Sequence, residues 1–149
     1  MILDQVVKFY IQQTMRLHET VVVIPGFFHL TYIRNPGAAF GLLADQENGF
    51  RFVFFMITSL VAVGLLIVLL YKAPNDQWLA PVAISLVLGG AFGNLLDRIR
   101  FGEVVDFLDF FIKGVHWPAF NVADSAITIG ITILMIHFFV DQRKNAAAS

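Results

Sequence analysis

Three blocks of the chain run almost without polar relief. Phe52–Tyr71 (FVFFMITSLVAVGLLIVLLY) and Gln77–Leu96 (QWLAPVAISLVLGGAFGNLL) are 20 residues each with no formal charge, and Phe120–Val140 is 21 residues with one acid, Asp124. A helix in water shows a polar stripe at every third or fourth position. A segment that is apolar all round and about 20 residues long instead matches the hydrocarbon core of a bilayer. The pattern predicts an integral membrane protein with helices over 52–71, 77–96 and 120–140. The opening segment 1–13, MILDQVVKFYIQQ, is apolar but holds Asp4 and Lys8. As a helix it reaches about 20 Å, short of a ~30 Å core, so it is a partial span. It lacks the basic, apolar and small-residue succession of a signal peptide.

The connections are unequal. Lys72–Asp76 (KAPND) is turn-like, so the spans it joins are antiparallel neighbours. The stretches 17–50 and 98–119 are long and share the other membrane face, where they predict a small cap on one side only. Thr20–Asn35 is rich in β-branched and aromatic residues around a Pro-Gly turn and reads as a hairpin. Residues 98–119 alternate as a strand does. The whole of 1–149 is one domain.

Composition agrees with this picture. Hydrophobic residues make up 58% of the 149, charged ones 14%, net charge is −1 and mean hydropathy is +0.74. Near-zero charge gives no reason to expect a nucleic-acid partner. The absence of cysteine excludes disulfides, thiolate catalysis and thiolate-bound metal. His18, His29, His116 and His137 show no metal-ligand spacing, so neither metal nor cofactor is expected. Positive charge is ambiguous about orientation. Lys72, Arg143 and Lys144 flank the short-loop face, whereas Arg16, Arg34, Arg51, Arg98, Arg100 and Lys113 lie on the capped side. Counted naively, the cap is cytoplasmic.

Candidate chemistry sits at the edges of the apolar blocks. Asp4 and Lys8 are four apart, on one helix face, as an ion pair that makes the helix tolerable in lipid, as a polar anchor for substrate, or as both. In GGAFGNLLDR (Gly89–Arg98), Gly90, Gly93, Asn94 and Asp97 form one small-then-polar face. Close helix packing explains the glycines. It explains Asn94, Asp97 and Arg98 less well, since polar groups at membrane depth usually face a functional interior. Asp106 in VVDFLDF and Asp124 in FNVADSAI lie near the same boundary. Two carboxylates brought together there share a proton, and the pair supplies one acid and one base. Alone, Asp124 reads as a helix cap, and Asp109 reads as a solvated loop charge. The alternatives are a non-enzymatic carrier or proton relay using Asp106, Asp124 and Arg98, and a serine peptidase built on Ser125.

Five stretches, LDQVVK (Leu3–Lys8), NPGAAFGLL (Asn35–Leu43), GGAFGNLLDR, GEVVDFLDF (Gly102–Phe110) and FNVADSAI (Phe120–Ile127), occur in the order found in bacterial lipoprotein signal peptidase, or signal peptidase II. Over Ile2–Val140 the chain resembles that family. The resemblance implies an all-α, four-transmembrane-helix bundle with a small extracytoplasmic β-rich cap, in the bacterial inner membrane, acting as an aspartic endopeptidase. Its substrates would be prolipoproteins cut before a lipobox cysteine that carries diacylglycerol, its other partners membrane lipids, and the protein a monomer without cofactor. Asp106 and Asp124 are then the catalytic pair. Asp4, Lys8, Asn35, Gly37, Ala38, Asn94, Arg98 and Asn121 fall on positions that bind substrate or support the site. The family's orientation opposes the naive charge count. The family also has an apolar stretch before its D-Q-x-x-K motif, where only MIL stands here, so the first helix is expected to be truncated.

Overall fold

In a computed structural model, residues 1–37, 48–73 and 78–148 are described, residue 48 and those from 144 on as backbone only. Helix α1 spans Ile2–Thr14, α2 Asn48–Lys72, α3 Leu79–Phe101 and α4 Val122–Ala148. Strands β1 (Thr20–Ile24) and β2 (Phe28–Asn35) precede α2, and β3 (Val104–Ile112) and β4 (Val115–His116) separate α3 from α4. Among the described residues three helices are long and apolar enough to cross a membrane, within Gly49–Lys72, Leu79–Phe101 and Val122–Arg143.

Helix α3 runs past Leu96, the end expected from hydropathy, to Phe101. Hydropathy falls at Asp97, but the helix continues because that charge is buried against a partner. Arg98 and Arg100 also sit in the last turn, where cations complement the helix C-terminus. Residues 98–101, expected to be extramembrane, are therefore the last turn of α3, and the strand begins at Val104. In the same way α2 begins at Asn48, inside the stretch assigned to the first cap segment.

Helices α3 and α4 lie against each other closely enough that two positions admit only glycine. A Cβ on Gly90 would strike the Ala123 carbonyl oxygen, and one on Gly130 would come 2.6 Å from the Ala83 carbonyl oxygen. Helix α1 is turned inside out relative to a soluble helix. Its buried residues are Asp4, Lys8 and Ile11, one face by spacing, while Leu3, Val6, Phe9 and Tyr10 are exposed. That arrangement suits a lipid surround, where the outside of a bundle is apolar.

The strands form one antiparallel sheet in the order β1-β2-β3-β4. Ile33 pairs with Asp106 and Asn35 with Val104, and a register shift lies between Leu30 and Ile33. Val105 and Phe107 point from one face of β3 into a core with Ile11 and Tyr32. By strand alternation Asp106 points to the other face.

Candidate active site

Five backbone segments deliver polar side chains to the place where α1, the end of β2, α3, β3 and the start of α4 meet. Asn121 is the N-cap of α4 and Asp124 is the third residue of the helix. Their bonds are reciprocal: the Asp124 N–H donates to Asn121 Oδ1 at 2.9 Å, and the Asn121 N–H donates to Asp124 Oδ2 at 3.2 Å. This is a capping box with an aspartate in its acidic position. The capping role read for a lone Asp124 is thus present, and it uses only one carboxylate oxygen. The other, Oδ1, accepts from Asn94 Nδ2 at 2.7 Å.

Asn121 also ties the two carboxylates together. Its buried Nδ2 donates to Asp106 Oδ1 at 2.7 Å, to the Val105 carbonyl at 3.2 Å and to Asn94 Oδ1 at 3.2 Å. Asp106 Oδ2 accepts from Asn35 Nδ2 at 2.8 Å, and Asn35 Oδ1 in turn accepts from the Gly37 N–H at 2.8 Å. Gly37 has a φ of +97° and its Cβ position is filled by the Phe55 ring, so a side chain is excluded twice. Asp106 and Asp124 are thus joined through Asn94 and Asn121 on one hydrogen-bonded network. Burial pushes the Asp106 carboxyl up to about 7, and the nearby Asp124 adds to the rise. The bonds from Asn35 and Asn121, and the charge of Lys8, oppose it.

Below this network lies a buried ion cluster. Lys8 Nζ sits 3.0 Å from Asp4 Oδ2 and 2.8 Å from Asp97 Oδ2, and donates to Asn94 Oδ1 at 2.9 Å. The ion-pair reading of Asp4 and Lys8 therefore holds, with a third member. Each acid also fastens backbone: Asp4 Oδ1 accepts from the Ala123 N–H at 2.9 Å and Asp97 Oδ2 from the Val105 N–H at 3.1 Å. Ala123 and Val105 each neighbour one of the paired aspartates, so the cluster holds the chain beside both. Arg98 donates to the Asn94 carbonyl at 3.4 Å, with its guanidinium over the Phe55 ring at 5.8 Å.

Of the residues singled out in the sequence, Asp4, Lys8, Asn35, Gly37, Asn94, Arg98, Asn121, Asp106 and Asp124 converge here. Ala38 lies outside the described residues. Sequence reading marked Asp97 on the polar face of α3 without carrying it into the site, and it passed over Gln5. The signal for Asp97 was present, since it lies on the same α3 face as Asn94. Gln5 Nε2 donates to Asp97 Oδ1 at 3.0 Å, a contact across 92 positions for which the chain gives no local sign. Asp109 is not a solvated loop charge. It lies within β3 opposite His29, and its carboxylate accepts from His116 Nδ1 at 2.8 Å. Ser125 Oγ donates to the Asn121 carbonyl at 2.9 Å, an ordinary helix back-bond. Among the described residues no group of histidine and acidic side chains is arranged to hold a metal ion.

Beside Asp124 opens a cavity of about 360 Å³ lined by Trp117, Phe120, Ser125, Thr128 and Ile129. It lies within the ~300–1,000 Å³ typical of small-ligand sites. Its walls are mainly apolar, with one carboxylate at the edge.

A sequence model of the family described as Signal peptidase (SPase) II matches residues 1–140. The lipoprotein signal peptidase of Syntrophus aciditrophicus (strain SB) is 49% identical over 146 residues, covering 98% of this chain and 91% of the relative. That of Syntrophotalea carbinolica (strain DSM 2380 / NBRC 103641 / GraBd1) is 54% identical over 144 residues, covering 97% and 88%. A solved structure described as a bacterial membrane enzyme, determined by the in meso method at 2.3 Å resolution, superposes with a TM-score of 0.83 at 40% identity. It covers 95% of this chain and 83% of its own.

Proposed function

The chain belongs to the signal peptidase II family, and from that premise we propose that it is an aspartic endopeptidase of the membrane that cuts signal peptides from prolipoproteins with Asp106 and Asp124 as its catalytic pair. The observation that carries the assignment of the pair is the Asn94–Asn121 bridge, which joins both carboxylates on one network, with Asp124 at the edge of an apolar cavity.

The chemistry follows from one proton shared between two acids. We assign the shared proton to Asp106, whose carboxyl burial pushes up to about 7, and the role of base to Asp124. A water between them gives a proton to Asp124 as its oxygen bonds to the carbonyl carbon preceding the lipidated cysteine. The Asp106 proton passes to the carbonyl oxygen, giving a neutral tetrahedral diol. The diol collapses as a proton moves from Asp124 to the cysteine nitrogen and a hydroxyl proton returns to Asp106. The peptide bond breaks, the signal peptide leaves with a new carboxyl end, and the pair is reset without a covalent intermediate. Asn94, Asn121 and Asn35 orient the carboxylates, and the Lys8 cluster supplies counter-charge.

The substrate's diacylglyceryl group directs the cut, the protein acts as a monomer of the bacterial inner membrane, and α1 serves as the first of four membrane helices. Cap and catalytic pair face the extracytoplasmic side, against the naive charge count. Asp106→Asn and Asp124→Asn are each expected to lower cleavage of a diacylglyceryl-modified precursor by the purified protein at least about a thousandfold, since groups acting as a unit fail together. Expression and thermal unfolding in detergent are expected to stay near normal. Substantial cleavage by either variant would remove the pair from the mechanism.

A further inference from the structure

We propose that Asp109 and His116 are positioning residues that hold Trp117 in place as a wall of the cavity beside Asp124, and thereby set which apolar group of the substrate the enzyme accepts. This rests on the peptidase reading above. His29, Asp109, Phe111 and His116 share one face of the cap sheet, since His29 pairs with Asp109 and Phe111 with His116. His116 Nδ1 donates to the Asp109 carboxylate, 2.8 Å from Oδ1 and 3.0 Å from Oδ2, while His29 Nδ1 lies 3.5 Å from Oδ2. The Phe111 ring stacks on His116 with centroids 4.6 Å apart.

These contacts matter because, beyond the short β3–β4 pairing, they are the side-chain contacts that fasten the strap carrying Trp117 to β3. Strand β4 is only Val115–His116, and the Trp117 N–H makes a single bond here, to the Phe110 carbonyl at 2.8 Å. Trp117 itself is 64% exposed, so its indole is placed by the backbone beneath it more than by packing around it. The chain then runs along β3 to Phe120 and the α4 cap, which fixes the far end of the strap, while the short β4 pairing and the His116–Asp109 bond hold the near end. The cavity favours an apolar occupant, because its two hydroxyls already donate to helix carbonyls: Ser125 Oγ to Asn121 and Thr128 Oγ1 to Asp124, each at 2.9 Å.

The test measures kcat and KM for paired precursors in detergent or lipid. One pair differs as leucine against alanine at the residues preceding the modified cysteine, and the other differs in acyl length. Trp117→Ala, Asp109→Leu and His116→Phe are each expected to reduce discrimination within one pair by about tenfold, the scale of a lost hydrophobic subsite contact, through KM with kcat retained. The pair that responds identifies the occupant as peptide side chain or acyl chain. Asp109→Asn, which keeps an acceptor for His116, is expected to discriminate as the parent does. Asp109→Leu added to Trp117→Ala is expected to cost nothing further, because both changes act through one wall. Parental discrimination in Asp109→Leu or His116→Phe, or additive losses in the double variant, would overturn the inference. Asp106→Asn measured alongside separates this from failure of the peptidase reading, which would show as retained cleavage in that variant.

Discussion

Lys8 is one cation among three acceptors, and the arithmetic of that cluster decides what its loss does. Lys8→Met leaves Asp4 and Asp97 buried without their counter-charge, and breaking a buried pair in this way costs about 3–5 kcal/mol. Asp97→Asn leaves the Lys8–Asp4 pair intact and is expected to cost less. Thermal unfolding in detergent checks the order, and equal losses would mean the cluster does not act as a charge network. Asp106 makes a second prediction. A carboxyl held at about 7 is protonated below that pH and ionised above it, so kcat/KM is expected to fall as pH rises through about 7. The Asn35 bond favours the ionised form, so Asn35→Ala should displace this alkaline limb to higher pH. A limb that stays put or moves downward would assign it to another group.

At the scale of elements, the close approach of α3 and α4 keeps Asn94 within reach of Asp124. Gly130→Ala would place a methyl 2.6 Å from both the Ala83 carbonyl oxygen and Val87 Cγ2. Overpacking of this kind costs about 1–3 kcal/mol, and any parting of the helices stretches the Asn94–Asp124 bond. Gly64→Ala on α2 meets nothing within 4 Å and serves as the control, neutral or slightly stabilising through helix propensity. Unfolding and cleavage measured together test this, and a Gly130→Ala protein as stable and active as the control would show that the interface yields. The capping box is also an element-scale device, because starting α4 at Asn121 fixes the direction of the Asp124 carboxylate.

For the whole molecule, one face of the bundle carries the sheet, and the paired aspartates lie where sheet and bundle meet. A cysteine replacing Lys113 in the β3–β4 turn is expected to react with a membrane-impermeant thiol reagent added outside spheroplasts, whereas one replacing Lys72 at the end of α2 is not. Reversed labelling would put the cap in the cytoplasm, as the charge count suggests. Arg34 and Arg98 weaken that count, because each is engaged in structure. Arg34 stacks over Phe101 at 4.2 Å, and Arg98 lies over Phe55 and bonds Asn94.

The apolar blocks, the hairpin around Pro25 and the ordered motifs were readable from the chain, because hydropathy, turn residues and spacing are local properties. The face shared by Asn94 and Asp97 was readable for the same reason, since helical periodicity fixes it. What α3 does beyond Leu96 was not, because the burial of Asp97 depends on Lys8 from another helix. Asp109 was misread because the bond that changes its meaning comes from His116 across a turn, and the local sequence resembles any exposed acid in a loop. The bridge from Asp106 through Asn121 and Asn94 to Asp124 joins three separate elements. Local sequence names the amides and carboxylates, but which oxygen each Nδ2 reaches depends on how closely α3 and α4 approach and on the register of β2 against β3.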